Sequence, residues 1–210
     1  MSTLAARPPH QFIAGHPVLD FSNTLHGRLE QEQLDQLVGY SALTEWARLA
    51  GLLDGTEAKH LARIERADAP GARRVVARAK RAREALYAVV SALAGGGPLP
   101  TVPLRILNRE LRAVGGRLQL ALDDRRRGLS WNVGEPLELG TPLRRVMWAA
   151  AQLLATQPRV PIRECEAPTC SWLFVDGTRN HSRRWCDTAQ CGNRERVRRH
   201  YRRRSASRRS

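Results

Sequence analysis

Through the first 115 positions the apolar residues recur at helical spacing. Val18, Phe21, Leu25 and Leu29 fall on one face behind Pro17, which predicts a helix over 17–29. Ser41 is placed to cap a second helix that buries Leu43, Trp46, Ala50 and Leu53. After Gly71 a longer register of Val75, Ala79, Ala82, Leu86, Val89 and Leu93 runs to the Gly95-Gly96-Gly97-Pro98 break. Leu104, Leu107, Leu111 and Val114 outline another helical face. The period then changes to two. Leu118, Leu120 and Leu122 alternate with polar neighbours, as do Leu129, Trp131 and Val133 beyond the polar run DDRRRG, and this predicts a β-hairpin. Thr141 and Pro142 supply an N-cap and a first helical position for Leu143, Val146, Met147, Ala150 and Leu154. Pro158 and Pro161 end that element and mark a boundary. The expected fold class is α+β, a mostly helical N-terminal domain over 1–158 with one small hairpin, followed by a small module over 159–210. There is no internal repeat, and the tail SASRRS has the composition of a disordered end.

All four cysteines lie in the second part, in the segments CEAPTC and CDTAQC, as Cys165, Cys170, Cys186 and Cys191. Two matched pairs of soft ligands are what a closed tetrahedral zinc site requires, because each pair wraps one edge of the tetrahedron through a short knuckle. The chain between the pairs reads as a return hairpin, with SWLFV going out, DGTRNHS turning and RRWC coming back. Four thiolates on a divalent ion leave a formal charge of about −2, which Arg163, Arg183 and Arg184 are near enough in sequence to offset. Disulfides suit an exported chain, and the N-terminus MSTLAARPPHQFIAGHPV has no apolar export signal. The spacing also departs from that of ferredoxin clusters. With four protein thiolates no position is open to water, so one structural zinc is expected and catalysis is not. Trp172, Phe174 and Trp185 read as the module's miniature core; the alternative is that they stack on bases.

Charge sharpens the picture. The formal net charge is +15, and residues 159–210 hold 14 Arg against 5 Asp and Glu. A polyanion is the natural partner, and no stretch is apolar enough to cross a membrane, so a cytoplasmic protein is expected. The run GNRERVRRHYRRR after Cys191 has helix-compatible composition. At 100° per residue Arg194, Val197 and Tyr201 share one side, with Val197 and Tyr201 turned towards the zinc module, while Arg196, Arg198, Arg199, Arg202 and Arg203 cover the other. Like charges four apart destabilise a free helix, and phosphates would relieve that repulsion. Asn193, Arg194, Arg196, Arg198, Arg199, Arg202 and Arg203 are therefore the candidate contacts to duplex DNA, which offers guanine edges and phosphates to arginine. The same residues would serve an RNA- or ribosome-associated module. A metal nuclease centred on His181 beside Asn180 is the third reading, but the following helix offers it no well-placed second ligand, since His200 lies two turns past Cys191.

The segment from Cys165 to Arg204, with SRRWC at Ser182 to Cys186 and CGNR at Cys191 to Arg194, resembles the CGNR zinc finger family. HPVLDFSNTLHGR at His16 to Arg28 resembles the opening motif of the ABATE domain, which commonly precedes that finger in bacterial proteins. The resemblance implies a treble-clef-like finger holding zinc on the four cysteines and contacting DNA, in a stress-linked transcription regulator. Thr188 stands where the family's knuckle suggests a larger apolar residue, and Asp176-Gly177-Thr178 varies its turn. In the N-terminal motif Asp20, Asn23 and Thr24 fall opposite Phe21 and Leu25. They are either a pocket for an unidentified small-molecule effector or locally bonded capping residues, the second reading being favoured. His16 and His26 make a poor metal pair, with only Asp20 near as a third ligand.

Overall fold

The computed structural model describes residues 10–123, 127–133, 136–155 and 160–207. The elements are α1 (Pro17–Ser22), β1 (Leu25–His26), β2 (Leu34–Asp35), α2 (Tyr40–Leu49), α3 (Gly55–Ala67), α4 (Ala69–Gly95), α5 (Thr101–Gly115), β3 (Leu118–Asp123), β4 (Gly128–Val133), α6 (Thr141–Ala155), β5 (Ile162–Glu164), β6 (Leu173–Val175) and α7 (Asn193–Ser207). A single π-helical turn over Thr188–Gly192 leads into α7. The architecture is α+β and mostly helical, with three two-stranded antiparallel pairings, β1–β2, β3–β4 and β5–β6. Among the described residues no helix is long and apolar enough to cross a membrane.

At the centre lies α4, 27 residues long, whose stripe of Val75, Ala79, Ala82, Leu86 and Val89 is buried as the apolar spacing predicts. It packs against α5, α1, α2 and α6, and also against β5. The buried residues of the helices and those around the cysteines form one continuous apolar cluster, in which Val18, Phe21 and Leu86 share a core with Trp172, Leu173 and Phe174. The cysteine module is thus seated on the helical part. The proposed boundary at 158–159 lies outside the described residues.

Several local expectations are corrected. The helix begun at Pro17 stops at Ser22, not at residue 29. The Thr24 hydroxyl turns back to the Phe21 carbonyl, the chain becomes extended at Leu25, and Leu29 is left exposed. Gly39 occupies the cap position before α2, and Ser41 lies inside the helix. Apolar spacing does not announce α3, because its only buried residue is Leu61. Its start is nonetheless written locally as a capping box. The Asp54 carboxylate accepts from the backbone N–H groups of Thr56 and Glu57, and Glu57 accepts from that of Asp54, each at 2.8 Å. The expected β3–β4 hairpin forms, with Leu118 facing Val133, Leu120 facing Trp131 and Leu122 facing Leu129.

Candidate metal centre and nucleic-acid interface

The first cysteine pair sits on a hairpin made before and after it. β5 pairs with β6, Glu164 opposite Leu173, and the Cys165 N–H donates to the Trp172 carbonyl at 2.8 Å. Between them the knuckle closes with the Cys170 N–H on the Ala167 carbonyl at 3.0 Å. The expected partner strand RRWC is irregular instead and meets the knuckle through Glu166 N–H on the Arg184 carbonyl. The second pair is presented by the π turn, which Asp187 caps by accepting from Ala189 and Gln190. Gly192 is required there, since a Cβ at that position would stand 2.9 Å from Cδ1 of Trp185.

The four Sγ atoms lie within 4.8 Å of one another, with Cys170 to Cys186 at 3.5 Å and Cys186 to Cys191 at 3.7 Å, and all four residues are buried. A tetrahedron with zinc–sulfur bonds of about 2.3 Å has edges of about 3.8 Å, so the cluster fits one zinc ion. These spacings are far beyond a disulfide, and the cysteines are free. Thiols this close share protons unevenly. Hydrogen bonds from the neighbouring thiols draw Cys191 below its ordinary range, with Arg194 adding to the effect. Cys165 is drawn down to about 7 by its bond with Cys170, while Cys170 and Cys186 are pushed up. Zinc takes all four as thiolates and releases those protons. With every position filled by sulfur, the metal's contribution is to hold the fold.

Charge compensation falls to a residue other than the three expected from sequence. Arg163 donates to the Arg183 carbonyl, Arg183 to the backbone carbonyls of Trp185 and Cys186, and Arg184 pairs with Glu166 at 2.5 Å. Arg194 instead places Nη2 3.3 Å from the Cys191 sulfur. Asp176, fully buried, organises the return loop. It accepts from the Thr178 N–H and hydroxyl and from the Arg183 N–H, and these bonds keep its carboxyl below the usual range despite its desolvation. Trp172 and Phe174 are buried, Trp172 edge-on to His26 of β1, so this core is shared with the helical part.

From the π turn α7 projects with little cover. Val197 is 46% and Tyr201 65% exposed, so the apolar side predicted to face the zinc module is in solvent. Asn193, Arg196, Arg199 and Arg202 are exposed, and among the described residues those three arginines make no ion pair. Arg198 is tied to Glu195 at 3.0 Å. The side chain of Arg203 lies outside the described residues.

The N-terminal motif meets the same module. Leu173 turns its N–H and carbonyl away from β5, and the side-chain amide of Asn23 takes both, accepting at 3.0 Å and donating at 2.9 Å. Two residues along the same edge, the Val175 N–H donates to the Ala14 carbonyl at 2.7 Å. Asp20 fixes that approach by accepting from the backbone of Ile13 and Ala14, and Gly15, at φ +79°, brings the chain so near that a Cβ would stand 3.3 Å from that of Val175. Asp20, Asn23 and Thr24 are all buried, with polar atoms bonded to backbone. His16 Nδ1 caps α1 by accepting from the Val18 N–H, and His26 packs on Trp172. Glu164 of β5 completes the join, accepting from the Tyr87 and Ser91 hydroxyls of α4 at 2.8 and 2.5 Å. Nothing in the local sequence ties position 23 to position 173; the only hint is an asparagine at the end of a short apolar helix.

A mostly helical domain with a four-cysteine zinc module docked on it defines a zinc-finger protein. Residues 162–204 match the family model of the CGNR zinc finger, and residues 15–157 match the ABATE model, described as "Putative stress-induced transcription regulator". The latter spans more than half of the chain, and the chain belongs to the ABATE family. No curated protein matches it.

Proposed function

We propose that this protein is a zinc-dependent transcription regulator that binds duplex DNA through α7, with the helical domain as its regulatory unit. The observation that carries the reading is the exposed arginine surface of Arg196, Arg199 and Arg202, free of acidic partners among the described residues and set on a helix that the zinc site holds at its root. Asn193 and Arg198 extend that surface, Arg194 is engaged with sulfur at its root, and Arg203 remains a candidate contact by its spacing in the sequence. Burial of Trp172 removes one of the two rings that an RNA-stacking reading would use.

The test is to titrate zinc-loaded full-length protein into a random duplex DNA pool and a matched RNA pool and to sequence what is retained. An enriched DNA motif, lost on chelation, is the expected result; tighter retention of RNA overturns it. With about four to six phosphates neutralised, the slope of log affinity against log salt should be roughly −4 to −5, and a slope near zero would contradict phosphate contact. Replacing Arg199 and Arg202 together by Ala should weaken binding to every sequence if they meet phosphate, and relax sequence preference if they meet bases.

A further inference from the structure

The outer half of the β3–β4 hairpin leaves a large apolar face in water. Leu120 is 59%, Leu122 82%, Leu129 64% and Trp131 52% exposed. Leu120 lies directly opposite Trp131 and Leu122 opposite Leu129, so the four stand side by side on one face of the two strands. At the hairpin base the same face turns inward, with Val133 buried and Trp131 edge-on to Trp148 of α6 at a centroid distance of 6.2 Å. The opposite face carries Gln119, Ala121, Ser130 and Asn132. This alternation is what a sheet covered on one side requires, and a hairpin without a third strand or a helix over it is marginal in water. Beyond its base this one has neither among the described residues.

We infer that this face binds the same face of a second copy of the chain, two hairpins stacking about a two-fold axis. A self-contact of this kind needs a patch complementary to itself, and a strip of Leu and Trp in paired register meets that condition under two-fold rotation. The four side chains expose on the order of 500 Å² per chain. Two copies would bury about 1,000 Å², the size at which specific interfaces begin. Charge selects the location. Two chains of net charge +15 repel over most of their surfaces, whereas the strip of Leu118, Leu120, Leu122, Leu129, Trp131 and Val133 contains no charged residue. Trp131 supplies the aromatic anchor around which interface energy concentrates. The contact involves no residue of α7, so it stands or falls apart from the nucleic-acid reading, and it would give that reading two arginine helices per particle.

The experiment is sedimentation of the zinc-loaded full chain without nucleic acid, over about 1–100 μM, at about 0.3 M salt to screen repulsion. A monomer–dimer equilibrium is expected. Leu122→Asp, introducing a charge on both sides of the symmetric contact, should raise the dissociation constant at least about 100-fold. Val38→Asp, at a position equally exposed at 82% but outside the hairpin, should leave it unchanged. In the wild type Trp46 and Trp172 are buried and Trp131 is more than half exposed, so acrylamide quenching should fall as the protein is concentrated. That measurement decides the matter without a variant if Leu122→Asp disturbs the fold. A wild-type chain that stays monomeric throughout the range, with quenching independent of concentration, overturns the inference. So does a dimer that a folded Leu122→Asp variant does not weaken.

Discussion

Replacing Asn23 by Ala removes two buried hydrogen bonds at once, and both of their lost partners belong to the backbone of Leu173. Neither group has an alternative, because both point away from β5, and Asn23 and Leu173 are 3% and 0% exposed. A buried backbone group left unpaired costs roughly 1–3 kcal/mol, so with two such groups the variant should lose about 2–6 kcal/mol, nearer the lower figure where water enters the space. That is a large share of a typical domain's roughly 5–15 kcal/mol. Asn23→Asp retains the acceptor but loses the donor and sets a carboxylate oxygen against the Leu173 carbonyl; it should be at least as damaging as Ala. Urea unfolding at fixed free zinc gives the stability change. Hydrogen exchange should show the Leu173 amide losing protection ahead of the amides in α4. A loss below about 0.5 kcal/mol with Leu173 still protected would refute the view that this side chain fastens the zinc module to the helical domain.

Burial raises the Asp20 carboxyl from 3.8 to about 6, against the pull of the Ala14 and Ile13 N–H donors. The folded chain therefore holds this proton more tightly than the unfolded one. Its contribution to stability is greatest below about pH 4, declines as the pH rises to about 6 and is constant above, a change on the order of 3 kcal/mol. Asp20→Asn, which keeps an accepting oxygen, should flatten that window. Comparing urea midpoints of variant and wild type from about pH 4 to 7 cancels the acid sensitivity of the zinc site common to both, and parallel profiles would contradict the assignment. Arg194→Ala should weaken zinc binding about 10–100-fold through the lost contact to the Cys191 sulfur, as read by competition with a chromogenic chelator. Gly192→Ala must displace the Trp185 ring and should destabilise the chain by about 1–3 kcal/mol, measured by the same urea unfolding at fixed free zinc.

The cysteine site is legible in the sequence because the identity and pairing of metal ligands are local chemistry. CEAPTC and CDTAQC each form a knuckle whose spacing suffices to bring two sulfurs together. Apolar periodicity is equally sufficient for α4, whose stripe is long and buried, and for the hairpin of β3 with β4. It fails for α3, where one leucine faces the core, although the capping box of Asp54 and Glu57 is present in the letters.

The sequence alone thus determined the zinc site, the basic helix that follows it and the helical class of the larger part, each through contacts among near neighbours. Tertiary structure alone decided that α1 ends at Ser22, that Asn23 serves a strand edge 150 residues away, that Arg194 sets one guanidinium nitrogen against the Cys191 sulfur, and that Val197 and Tyr201 are exposed. The physical reason is that a free strand edge takes whatever donor and acceptor the fold carries to it. No periodicity in the chain records which residue that will be.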